Sequence, residues 1–115
     1  MKKKEKFAKP FENPKTLAAG KRVPLAVGDF IIYDIFSKSK GTAIRINDEE
    51  MLEGVSLLAS KKGGFFAPEG GLFVMASKKN LKENNFIKDT DKVVLVNTGS
   101  AYKYLDMMEK RFWGD

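Results

Sequence analysis

The chain contains neither cysteine nor histidine, and this constrains it more than any motif does. No disulfide can staple it, and the usual zinc and iron–sulfur ligand sets are out of reach. Whatever fold forms must be held by apolar burial. At 115 residues the length suits one such core, since a chain of this size buries somewhat under about two-thirds of the surface its unfolded form exposes. The same absence removes a Ser–His–Asp triad, a Cys–His nucleophile and histidine acid–base work. Catalysis is left to Lys, Asp, Glu, Ser, Thr, Tyr or a cofactor.

A net charge of +6 suggests nucleic acid until its position is examined. Residues 1–22 carry eight of the 21 basic side chains and two of the 15 acidic ones, so the rest holds 13 of each. The excess therefore belongs to a lysine-rich start, and a neutral body offers no broad phosphate footprint. Nucleic acid is not the expected partner. No apolar run approaches the ~18 residues of a membrane span, and no signal-like apolar segment follows the lysines. A cytoplasmic location is expected, consistent with the lack of cysteine.

Residues 1–15 (MKKKEKFAKPFENPK) are polar, carry two prolines and lack periodicity. They read as a basic extended lead-in to a single α/β domain over residues 16–115. The run Asp29–Lys38 (DFIIYDIFSK) predicts a helix apolar over most of its circumference, either buried or covered by a partner. Thr42–Ile46 (TAIRI) predicts a β-branched strand. Asn47 and Glu50 occupy the two positions of a capping box, and Met51, Leu52, Val55, Leu58 and Ala59 follow at helical spacing. Lys61-Lys62-Gly63-Gly64 should end that helix. Phe65–Ala67 predicts a short strand and Gly70–Lys82 a helix. Lys92–Asn97 (KVVLVN) is continuously apolar after its lysine, as a strand buried on both faces would be. A turn and a last helix close the chain. Strands alternating with helices predict an α/β class with a mainly parallel sheet.

In such sheets ligands sit where strands run into helix N-termini. Two stretches fit. In Ala67-Pro68-Glu69-Gly70-Gly71 a carboxylate stands between a strand-stopping proline and two glycines; Glu69 either contacts a ligand or simply starts a helix. In Asn97-Thr98-Gly99-Ser100, Thr98 either faces a ligand or caps the last helix. Ser37-Lys38-Ser39-Lys40 superficially imitates a Ser-x-Lys motif that could present a Schiff-base lysine, but it lies at a helix end without a Gly-rich partner and reads as solvated.

Four segments, in the same order, resemble the C-terminal region of the threonine synthase family, pyridoxal-phosphate enzymes of fold type II. They are Pro14-Lys15-Thr16-Leu17-Ala18-Ala19-Gly20, Gly28-Asp29-Phe30-Ile31-Ile32, Pro68-Glu69-Gly70, and Asn97-Thr98-Gly99-Ser100 with Lys103-Tyr104. The resemblance runs from about Pro14 to Leu105. The family usually has Gly-Leu where this chain has Ala101-Tyr102.

The resemblance implies a parallel-sheet, three-layer fragment of the tryptophan synthase β-like fold, with pyridoxal phosphate as cofactor. It implies that Thr98 sets a hydroxyl against the pyridine nitrogen, with Gly99 beside it. Ala19 and Gly20 would lie along the ring face, and Glu69 near the ring's polar edge. The family's Schiff-base lysine and Gly-rich phosphate loop correspond to nothing in this chain. It is thus expected to be inactive alone, partnered by the missing N-terminal half or a second copy of itself, with an amino-acid substrate reaching only the complete enzyme. The alternative is a non-catalytic α/β module or split-enzyme subunit whose basic tail binds an acidic partner.

Overall fold

The computed structural model describes residues 8–114, with side chains throughout except at 80–82. The chain divides into two compact units, Met1–Ala43 and Ile44–Asp115. Lys2, Lys3, Lys4 and Lys6 of the basic lead-in lie outside the described residues, and residues 8–15 form no helix or strand.

In the first unit, a short 3-10 turn at Ala19–Lys21 precedes helix α1, Asp29–Ser39. The loops before it are tied by backbone and side-chain bonds: Phe11 N to Pro24 O at 2.7 Å and Arg22 Nε to Thr16 O at 2.7 Å. Helix α1 stops at Lys40, whose left-handed backbone (φ 54°) costs a residue with a Cβ about 1 kcal/mol. None of its residues is buried. Phe30, Ile31, Ile32, Tyr33 and Ile35 all stand exposed, because a unit with one long helix has nothing to wrap around it.

The second unit is built on helices α2, Asp48–Lys62, and α3, Pro68–Glu83, which pack on each other. The α2 ends form as the sequence predicts. Asn47 Oδ1 accepts from the Glu50 amide at 2.9 Å and Glu50 Oε2 accepts from the Asn47 amide at 3.1 Å, while Gly63 closes the helix in the left-handed region at φ 64°. Pro68 opens α3, where its fixed φ suits the first turn. The close approach of the two helices requires glycine on both sides. A Cβ on Gly54 would lie 2.1 Å from the Gly71 carbonyl oxygen, and one on Gly71 would lie 2.2 Å from the Met51 carbonyl oxygen.

Behind this crossing a 3-10 turn, Ala101–Tyr104, leads into α4, Leu105–Phe112. Val55, Ala101 and Met108 are fully buried, with Phe65, Tyr104, Met107 and Phe112 packed around them. Burying an aliphatic side chain of this size contributes roughly 1.5–3 kcal/mol, so these contacts outweigh the exposed ion pair between Arg111 and Glu49 (2.9 Å).

The expected parallel-sheet α/β fold is not what forms. Among the described residues the β-structure is one isolated antiparallel bridge between Phe66 and Ser100; the architecture is helical. Residues 42–46 and 92–97 belong to no helix or strand. A strand buried on both faces needs neighbours along both edges and helices above and below. In the second unit the apolar faces of α2 and α3 are already taken up by each other. Val94 and Val96 are consequently 84% and 67% exposed.

Lys79 Nζ donates to Glu50 Oε1, and this bond, with that to the Asn47 amide, holds the Glu50 carboxyl below its ordinary value of 4.5. Glu50 therefore loses its proton more readily in the folded chain than in the unfolded one. The resulting stability is complete above the ordinary value and disappears as pH falls through the lowered one. Glu50→Gln should lower the urea midpoint near neutral pH, and its deficit against wild type should shrink as pH is taken from about 7 to about 3. A deficit that does not vary with pH would mean that the charge is immaterial.

Candidate functional site

The two stretches singled out in the sequence meet in the second unit. The Ala67 amide donates to the Gly99 carbonyl at 3.2 Å and the Ala101 amide to the Phe65 carbonyl at 3.1 Å. Ser100 Oγ adds a bond to the same Phe65 carbonyl at 3.3 Å. Residues 65–71 and 97–101 thereby form one backbone-tied strap, with α3 leaving from one side and the 3-10 turn from the other.

Glu69 stands in the first turn of α3, where the helix dipole favours its charge. It is only 8% exposed. No cation pairs with it among the described residues; Tyr104 supplies the side-chain partner, its hydroxyl donating to Glu69 Oε1 at 2.7 Å. Glu69 thus does start a helix, and a contact from 35 residues away holds it there. The identity of that donor is not deducible from local sequence, although Tyr104 lies inside the Lys103-Tyr104 pair already noted.

Thr98 is exposed, and its hydroxyl makes no hydrogen bond to any described residue. It does not cap the last helix. That helix has no side-chain cap; Ser100 caps the 3-10 turn ahead of it, its Oγ accepting from the Tyr102 amide at 3.4 Å. Asn97, beside Thr98, donates from Nδ2 to the Gly99 carbonyl at 2.9 Å. A Cβ on Gly70 would come within 2.7 Å of Asn97 Oδ1, whereas one on Gly99 would make ordinary contact with Ala67 at 3.5 Å. The two glycines after Glu69 are thus packing devices: Gly70 admits Asn97 and Gly71 admits α2.

Ala19 and Gly20 belong to the first unit, in the exposed 3-10 turn. Ser37-Lys38-Ser39-Lys40 ends α1 with local bonds: Ser37 Oγ donates to the Tyr33 carbonyl at 2.9 Å, the Gly41 amide donates to Ser39 Oγ at 3.2 Å, and Lys38 pairs with Asp34 at 2.7 Å. No cluster suited to a metal ion occurs among the described residues, and no helix there is long and apolar enough to cross a membrane.

Over 101 residues the chain is 33% identical to threonine synthase of Methanocaldococcus jannaschii, a stretch that covers 88% of this chain and 25% of that relative. No family model matches the chain, and no solved structure matches it. It spans about a quarter of the length of the curated relative. Sequence identity at this level, over a region that includes both sides of the strap, makes the chain a distant relative of a threonine synthase.

Proposed function

We infer that the chain is the C-terminal part of a threonine synthase-like, pyridoxal-phosphate-dependent lyase. The complete enzyme converts O-phosphohomoserine and water to threonine and phosphate, and this part is inactive alone. The observation that carries the reading is the strap, because it joins Pro68-Glu69-Gly70 to Asn97-Thr98-Gly99-Ser100, two segments distant in sequence that both resemble the family's.

The donor set suits the cofactor. Thr98 is exposed and its hydroxyl bonds to no described residue, which leaves it as a neutral partner for a pyridine nitrogen. Gly99 adds no side chain next to it. In this reading Thr98 holds the ring nitrogen, Gly99 allows close backbone approach, and Glu69 stands at the ring's polar edge. When bound, pyridoxal phosphate supplies the electron sink, and a neutral hydroxyl partner tempers it by not obliging the nitrogen to carry a proton. The lysine and phosphate loop come from the rest of the enzyme. That remainder, in the cytoplasm, is the partner proposed to cover the apolar residues of α1.

The test is to produce the chain together with a threonine synthase from which the matched stretch has been removed. Co-purification of the two pieces is expected, with phosphate released from O-phosphohomoserine by the pair and by neither piece alone. Two pieces that neither associate nor release phosphate together would overturn the reading.

A further inference from the structure

Glu69 is the buried charged residue of the described chain, yet no cation faces it. A buried carboxylate without a counter-charge is costly unless hydrogen bonds compensate, and here the side-chain donor is the Tyr104 hydroxyl. The ring of Tyr104 packs against the Val55–Ala101–Met108 cluster, so the hydroxyl is carried on a support that does not wander. A glutamate has three rotatable side-chain bonds, and aiming it at one place requires a partner whose own rotamer is locked. Tyr104 is such a partner. It also follows Ser100 within the same 3-10 turn, whose start is tied to Phe65.

We propose that Tyr104 is a positioning residue for Glu69: its hydroxyl holds the carboxylate in one orientation and couples it to the segment bearing Thr98. The inference rests on the proposed function for what Glu69 is aimed at. The holding itself is a property of the chain. Removing the hydroxyl strips the carboxylate of its donor while the ring stays in the core, and the carboxylate then turns out to water, where its charge is solvated.

The full chain, labelled with carbon-13 at glutamate carboxyls and assigned through Glu69→Gln, tests this with a soluble paramagnetic relaxation agent. In wild type the Glu69 carboxyl should be shielded; in Tyr104→Phe its relaxation should rise severalfold, with the far-ultraviolet dichroism of the helices retained. A carboxyl equally shielded in both would overturn the proposal, since a merely structural tyrosine would leave it in place. Should the Phe variant not fold, wild type is read from the other side. A Tyr104 hydroxyl proton that exchanges slowly enough to be seen supports the bond, and one exchanging at solvent rates overturns it. Adding pyridoxal phosphate to the chain paired with the remainder of the enzyme separates the two ideas. A Glu69 signal that responds in wild type and less in Tyr104→Phe supports both, and an equal response in the two overturns the positioning role. A shielded, Tyr104-dependent carboxyl that ignores the cofactor supports the positioning role and overturns the cofactor reading.

Discussion

Gly71→Ala is expected to lower stability by about 3 kcal/mol or more, the upper end of what overpacking costs, or roughly a hundredfold in the folded-to-unfolded ratio. The added methyl would meet the Met51 carbonyl oxygen at 2.2 Å and the Val55 amide nitrogen at 2.6 Å. Both are backbone atoms of a hydrogen-bonded helix, so no rotamer change can make room; α2 and α3 must separate. Separation would uncover Met51 and Val55, at 1% and 0% exposure. Gly63→Ala is the control. Nothing lies within 4 Å of its added carbon, and only the left-handed backbone resists, at about 1 kcal/mol. Urea unfolding of the two variants beside wild type checks the order, and equal losses would show that the helix crossing is looser than its geometry.

Thr98→Val, in the chain paired with the remainder of the enzyme, should reduce turnover roughly tenfold or more, as expected for losing one hydrogen bond of about 1–3 kcal/mol to the bound ring. Valine keeps the shape and removes the hydroxyl. Because Thr98 bonds to no described residue and is exposed, the folded chain should lose almost nothing, and its urea midpoint should stay put. Cofactor occupancy, followed by absorbance, should also change little. Thr98→Ser should retain most of the turnover. Undiminished turnover in the valine variant would return Thr98 to an ordinary surface position.

The helices were legible because their signals are local. Asn47 and Glu50 announce a start and Lys61 to Gly63 a stop, each acting within one turn of backbone; Pro68, expected to stop a strand two residues before a helix at Gly70, instead opens that helix itself. The expected sheet fails to form for the opposite reason. Val93–Val96 has the composition of a buried strand, but burial depends on neighbours that composition does not supply, and these residues lie exposed. At the candidate site, Glu69 and Thr98 were visible as a carboxylate and a hydroxyl at segment ends. Their arrangement was not, since it depends on the Phe66–Ser100 bridge and on a tyrosine 35 residues from its carboxylate. Gly63-Gly64 and Gly70-Gly71 read as helix boundaries and Gly54 carries no local signal, so only the distances around them reveal that Gly54 and Gly71 make the crossing possible.

The apolar run before the strap sets a limit of another kind. From 92 to 96 no backbone group bonds to a described residue, and Val93, Val94, Leu95 and Val96 all face outward, with Lys92 the nearest charge. Exposed β-branched runs of this composition, with no proline to interrupt them, are segments prone to intermolecular pairing and cross-β growth. Pairing through these residues joins one copy to another, so it is expected to grow as concentration rises and to fade on dilution.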